Sequence, residues 1–577
     1  MRNVMESFLR CALLIVPWLC AGAWGCGSVK ADVPGVAGPL LSETVQLSAS
    51  DVKTIIAQAA TDAKQRGLPV TIAVVDHTGV VLGVLQMAGA KTTTIPSSGG
   101  GMMVGLEGRI IPGSAAAAAI SKAGTCAFFG TQGNAFTPRT AGFIVQEHFP
   151  PGIDPSPGGP LFGVQFSNLR CSDVDRGPGI HTAARANLPL GLAADPGGFP
   201  LYKNGVAVGG IGVEGDGSYT LEQGRPGTAS TPEELIAAAG TLGFSAPSAI
   251  RGDNILVGGF QFVFGNAEPP SSQVTTPYDM FAMVGTVISP PIDGGTSPFV
   301  TRPLSSTRGT VPQQFATSFK AGTSPALVRL SVEEVTGIIN IAGAQADRTR
   351  SAIRLPIGEP ARVTITVVDA SGAILGMFRT MDAPIFGFDV SVQKARTAAF
   401  FSSATAGRDL TQAGFGAYVA AAAADGLMLN GTVAISTRAL GFVSQPIYPP
   451  GALAPFQNGP FSKPMGNWSI FNTGLQLDMY IKPDPINLSN LLAAPCTGTA
   501  LPALANGITI FPGGFPLYKK GVLVGAIGIS GDGVDQDDLI GFVGSTGYEA
   551  PTAMRSDNVM VRGVMLPYAR FPRNPNL

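Results

Sequence analysis

GGFPLYKNGVAVGGIGVEGDG, Gly197–Gly217, returns near the other end of the chain as GGFPLYKKGVLVGAIGISGDG, Gly513–Gly533. Each copy holds two apolar runs separated by two residues, Asn204-Gly205 in the first and Lys520-Gly521 in the second. Asn-Gly between apolar strands is the strongest short signal of a two-residue hairpin, because both positions of such a turn need positive φ. The stretch therefore reads as a β-hairpin that the chain uses twice.

Working outward, four further blocks recur in the same order. LSASDVKTIIAQA (Leu47–Ala59) pairs with LSVEEVTGIINIA (Leu330–Ala342), and VTIAVVDHTGVVLG (Val70–Gly83) with VTITVVDASGAILG (Val363–Gly376). SKAGTCAFF (Ser121–Phe129) pairs with QKARTAAFF (Gln393–Phe401), and LGFSAPSAIRGDNILVGG (Leu242–Gly259) with TGYEAPTAMRSDNVMVRG (Thr546–Gly563). Ordered recurrence of five blocks makes the chain an internal duplication. Val52, Ile55, Ile56, Ala59 and Ala63 follow helical spacing, with Ser50 read as the cap and Gly67 as the stop. In the second copy Ser331 and Glu334 form a capping box. The second block predicts a further hairpin, turned at DHTG or DASG with Asp76 and Asp369 shaping the turn. The Lys122 and Lys394 blocks predict mostly buried helices. Helices are also expected at Thr231–Glu234 and Asp535–Asp538, where first-turn acids suit the helix dipole. The order α-ββ-α-ββ-α argues for an α+β fold, an antiparallel sheet backed by helices, in two tandem copies with long loop insertions.

Five segments follow: a signal at 1–25, a flexible tether at 26–39, domains at 40–268 and 326–577, and a Pro/Gly-rich connection at 269–325. Arg2 and Arg10 precede an apolar run too short to span a bilayer, followed by Ala21-Gly22-Ala23. AWGC (Ala23–Cys26) is similar to a lipidation box, so Cys26 is the candidate lipidated residue. Signal-peptidase cleavage after Ala23 is the alternative. The expected locations are periplasmic, outer-membrane lipoprotein or secreted, with membrane contact only through a lipid.

The 577 residues carry 37 basic and 38 acidic side chains, and no segment concentrates Lys and Arg, which excludes a nucleic-acid partner. Charged residues are 13% against 45% hydrophobic, so a solvated disordered chain is excluded too. There is no CxxC, no CxxCH, no GxSxG, no HExxH and no Walker loop. Covalent c-type haem and the familiar catalytic motifs thus find no support. Cys171 and Cys496 lie in different halves, and whether they pair is open. Cys126 reads as a packed thiol.

The pattern VVDxxG, KAxTAxFF and GGFPLYKxGxLVGxIGxSGDGxxQDD resembles the GlcG/HbpS-like family, also called the haem-degrading domain family. The resemblance implies a profilin-like α-β-α fold, frequent oligomers and haem or a related tetrapyrrole as the first ligand to consider. It also leaves open a non-catalytic ligand-binding protein of the cell envelope, a structural protein acting through its insertions and an envelope partner, and an enzyme acting on haem or a small oxidised acid. The insertions, 130–197 and 402–513, and the drifted loop after Gly217 depart from the family pattern.

Histidine is the obvious iron ligand, and the chain has three: His77, His148 and His181. His148, beside Phe143 and Phe149, is the preferred candidate, whereas His77 reads as a turn residue or a ligand. Lys122 and Lys394, at one point of both copies, are either snorkelling side chains at a helix edge or contacts for a ligand carboxylate. Tyr202 and Tyr518 either flank a pocket or cover the sheet. Arg251 and Arg555 complete the candidates, each with an acid two residues on that suggests a structural ion pair.

Overall fold

A computed structural model describes residues 45–98, 103–111, 113–145, 163, 188–221, 229–257, 259–295, 299–323, 328–452, 457–481 and 501–577. Residues from Ser42 onward form one compact unit.

In the first repeat α1 (Ala49–Arg66) leads into β1 (Thr71–Asp76), β2 (Val81–Gln86) and the short β3 (Ile95–Ser97). Then come α2 (Ser114–Phe129), α3 (Pro138–Ile144), β4 (Gly198–Lys203), β5 (Val206–Glu214), β6 (Ser218–Thr220) and α4 (Pro232–Gly240). A small ribbon, β7 (Leu256–Val257) and β8 (Phe260–Gln261), closes it. The connection holds α5 (Tyr278–Ala282), β9 (Thr286–Ser289), β10 (Phe299–Thr301) and β11 (Gly309–Pro312). The second repeat opens with α6 (Val332–Ala346), β12 (Val363–Asp369), β13 (Ile374–Thr380) and α7 (Gly387–Phe401). Its insertion carries α8 (Ala406–Leu410), α9 (Gly416–Ala424), α10 (Thr437–Phe442) and α11 (Leu475–Ile481). The core resumes with β14 (Gly514–Lys519), β15 (Val522–Gly531) and α12 (Val534–Gly544), and β16 (Met560–Val561) with β17 (Val564–Met565) repeats the small ribbon.

Both main sheets are antiparallel. The first runs β4-β5-β1-β2-β9 and the second β10-β11-β13-β12-β15-β14. In the first repeat α2 packs on one face of the sheet, while α1 and α4 pack together on the other, and α7 against α6 and α12 repeats this. That is the α-β-α layering expected. Both hairpins turn as predicted: Asn204 and Gly205 have φ of 54° and 78°, Lys520 and Gly521 of 52° and 76°. The Asp76 carboxylate accepts from the Thr78 and Val80 amides, and Asp369 does the same for Ser371 and Ala373. The glycines of GGIG also have a packing reason. A Cβ on Gly212 would sit 2.1 Å from the Ala119 carbonyl oxygen, and one on Gly528 2.0 Å from that of Ser391. Bare strand backbone lets α2 and α7 lie directly on the sheet.

Two expectations change. Helix α1 is capped by Ser48, not Ser50: Ser48 and Asp51 form the capping box, which starts the helix two residues earlier. The stretch 269–325 does more than connect, for β9 edges the first sheet and β11 with β10 edges the second.

The repeats are tied to each other by specific contacts. Phe129 stacks on Phe386 with centroids 4.6 Å apart, and the Gln132 amide donates to the Asp382 carboxylate at 3.0 Å. Arg354 is buried, pairs with Asp532 at 2.8 Å and Asp382 at 2.5 Å, and donates to the Thr131 hydroxyl at 3.3 Å. The insertion of the second repeat reaches the first as well: the Leu106 amide donates to the Phe471 carbonyl, and the Phe471 ring lies 6.0 Å from that of Tyr219.

Candidate functional site

Lys122 projects from α2 toward the far end of β5, where GVEGDG leaves the sheet. Its ammonium is fully buried, donates to the Val213 carbonyl at 3.0 Å and lies 2.8 Å from Asp195, 3.0 Å from Glu214 and 2.6 Å from Glu233. All three acids are buried, and theirs is a set, among the described residues, whose oxygens converge closely enough to hold a metal ion. The lysine ammonium already sits among them. Burial alone would depress Lys122, but the three carboxylates hold it well above the ordinary lysine value. Burial pushes Glu214 up to about 7 against the pull of Lys122, and Glu233 adds to the rise.

The second repeat builds the same place differently. Lys394 donates to the Ile529 carbonyl at 2.7 Å and to Asp537 at 2.8 Å, and its ammonium lies 4.8 Å from the centre of the Phe511 ring. Aligning GGFP and GDG sets Asp195 against Phe511 and Glu214 against Ser530, and aligning Glu233-Glu234-Leu235 with Asp537-Asp538-Leu539 sets Glu233 against Asp537. Three carboxylates thus become one carboxylate, one hydroxyl and one aromatic face. Burial accordingly lowers Lys394, with Asp537 only partly opposing it, and raises Asp537 to about 7. Both lysines are interior ions. They are neither at a helix edge nor open to a ligand, and no described cavity is lined by them.

Beside each lysine runs a second pair that the sequence reading missed. Arg139 grips Glu234 with Nε and Nη2 at 2.7 Å each, and Arg438 grips Asp538 and Asp535. The signal was present: TPRTAGF and STRALGF recur, and both partner helices carry two adjacent acids in the first turn.

The remaining candidates also face inward. Tyr202 donates to the Thr131 carbonyl at 2.7 Å, and Tyr518 is buried in the equivalent place. Arg251 lies over Phe264 and pairs with Glu268 at 2.6 Å and Asp253 at 3.6 Å. Arg555 lies over Tyr568 and pairs with Asp557 at 2.5 Å. Cys126 is a buried free thiol. His148, His181, Cys26, Cys171 and Cys496 lie outside the described residues.

The open feature is a cavity of about 80 Å³ at the junction of the repeats. Asp76, His77 and Gln132 of the first repeat line it together with Arg379, Met381 and Asp382 of the second. The turn after β1 carries His77 here, and the second copy has Ala370 at that position. The imidazole hydrogen-bonds the Ala127 backbone, while its Nδ1 is buried without a hydrogen-bond partner. Burial lowers its pKa to about 4, with the nearby Arg379 charge adding to the effect, so the ring is neutral at physiological pH. A neutral imidazole with an unpartnered ring nitrogen is a group that can ligate a metal ion. Donor chemistry therefore suits an iron ligand. The enclosed space does not suit a whole macrocycle, since pockets that engulf organic ligands run to roughly 300–1,000 Å³.

The model of the family described as "Haem degrading protein HbpS-like" matches residues 47–99 and 479–543. Among solved structures, a PduOC–haem complex is 19% identical, covers 39% of this chain and 99% of its own, and has a TM-score of 0.21. Klebsiella pneumoniae protein ORFY, of family DUF336, is 20% identical over 36% of this chain and 97% of its own, at 0.21. A doubly substituted Streptomyces reticuli HbpS is 16% identical over 39% and 91%, at 0.18. No curated protein matches the chain. The family's model falls on the opening of one repeat and the closing hairpin and helix of the other, and both repeats share the same five blocks, so the chain carries two tandem copies of a domain that is similar to the HbpS-like family.

Proposed function

We propose that this chain is a non-catalytic binding protein that takes haem or a related tetrapyrrole reversibly at the junction of its repeats, with His77 as the iron ligand. The observation that carries the reading is the neutral imidazole of His77, lining the inter-repeat cavity with a buried, unpartnered Nδ1. The match of both repeats to the model described as haem degrading and HbpS-like makes haem the first ligand to test. A cavity of about 80 Å³ accepts an axial contact and leaves the ring outside it. Such a ring stays partly in solvent, so binding is weak and reversible.

Haemin titration of the intact chain, followed by its Soret band, tests this. The His77→Ala protein is expected to lose at least about tenfold in affinity, equivalent to one lost ligand bond of about 1.4 kcal/mol or more. The His148→Ala protein keeps its affinity. The reverse result moves the ligand to the insertion, and no specific band leaves the insertions as an assembly surface. Export through a lipid anchor is part of the same proposal: mass spectrometry of the mature protein is expected to find a lipidated N-terminus at Cys26, whereas an unmodified Trp24 refutes the lipid and leaves a signal-peptidase product.

A further inference from the structure

The Lys122 cage holds more negative charge than its lysine can balance. An ammonium has three protons to donate, yet Lys122 meets four acceptors: the Val213 carbonyl and carboxylate oxygens of Asp195, Glu214 and Glu233. Three buried carboxylates against one buried cation leave two uncompensated charges, a cost too large for an interior site. Part of the excess is met by the backbone. Glu233 accepts from the Gly215 and Asp216 amides at the start of α4, and Glu214 accepts from the Gly217 amide. Among the described residues no further cation enters the cage. Arg139 of α3 is taken by Glu234, and Lys91 reaches only the Asp216 carbonyl at the surface. The neighbouring ionisable groups are the Asp216 carboxylate, which accepts from the Ser218 amide, and the buried phenol of Tyr219 on β6.

We propose that this cage retains one proton on the Asp195–Glu214 carboxyls at neutral pH and releases it in mild alkali, loosening the clasp that holds the segment 188–197 onto α2 and β5. Asp195 lies in the irregular segment that leads into β4, so the cage joins α2, β5, α4 and that segment at one point. Both carboxyls are raised by burial, Asp195 well above its ordinary value and Glu214 to about 7, with Lys122 opposing and the other acids of the cage adding. The sign follows. The folded chain binds this proton more tightly than the unfolded chain, so the stabilisation is complete below about 4.5 and is lost as pH rises through about 7. The second repeat is the internal control. Phe511 and Ser530 replace the two extra acids, leaving one ammonium against one carboxylate.

Thermal unfolding of the intact chain between pH 5 and pH 8 provides the test. Glu214→Gln imitates the protonated acid, so its midpoint is expected to rise relative to the parent as pH increases, by about 5 °C at pH 8. A difference that stays flat, or that falls with pH, overturns the proposal. Should that variant fail to fold, the infrared carbonyl band of a buried carboxylic acid decides. The protein with both Asp537→Asn and Asp538→Asn, which lacks the two raised carboxyls of the second repeat, is expected to retain such a band at pH 7 and lose it by pH 9. Its absence at pH 7 overturns the proposal equally.

Discussion

At the scale of single residues, Lys122 and Lys394 show how one position can be kept while its partners are exchanged. The sequence singled them out because an ammonium recurs inside two apolar helices. It did not reveal that both are buried ions, because their partners are scattered over three separate elements and only one of them is acidic in both copies. Asp195 in one repeat is Phe511 in the other, so the alignment of the halves hid the cage it could have exposed. The physical consequence is measurable. Removing the cation of a buried network strands its partners, at a cost of about 3–5 kcal/mol. Lys122→Met is expected to fall in that range by chemical denaturation at pH 7. Lys394→Met should lose less, since the single acid it leaves, Asp537, is already raised to about 7 by burial and takes up a proton readily. Equal losses would show that the two extra carboxylates carry no net charge into the folded state.

At the scale of elements, what was legible depended on local chemistry. The two-residue hairpins and Asx turns were readable because the residues that need positive φ, or that accept two backbone amides, sit within the turn itself. The capping box at Ser331 was readable for the same reason, whereas at α1 two serines competed and Asp51, three residues after Ser48, decided between them. The edge strands β9, β10 and β11 escaped notice. Each has four residues or fewer, β9 is largely exposed, and all three lie in a Pro- and Gly-rich stretch without alternation. They are strands because a sheet edge was already waiting for them, which is long-range information. The helices of the second insertion were missed on the same grounds: α9 is GAYVAAAAA, whose composition favours helix but shows no polar face to orient it. The burial of His77 was not legible because a turn between strands reads as solvated. Here the turn is covered by the other repeat.

At the scale of the whole molecule, the repeats are halves of one body and not beads on a string. Their junction combines an aromatic stack, a buried arginine shared by Asp382 and Asp532, and the cavity that His77 lines. Burial would depress the Arg354 guanidinium, but the two aspartates hold it above its ordinary value, so it is charged at every accessible pH. The intact chain is therefore expected to melt in one transition. Fragments cut at 267 and 326 lose β9 from the first sheet and β10 with β11 from the second, so both should be markedly unstable. Cutting within 296–298 instead gives each half its own edge strands. Those fragments should fold better, and they should bind each other when mixed, because Gln132, Thr131 and Phe129 on one side still meet Asp382, Arg354 and Phe386 on the other. Arg354→Met strands two carboxylates at the junction, one of them fully buried, and is expected to weaken that reassociation by at least about tenfold while leaving the melting of the first half alone unchanged. Calorimetry of the mixed halves checks the first claim and titration of one half with the other checks the second. Two independent transitions in the intact chain, each matching an isolated fragment, would mean that the repeats do not stabilise one another. A ligand site assembled from both would then have no rigid frame.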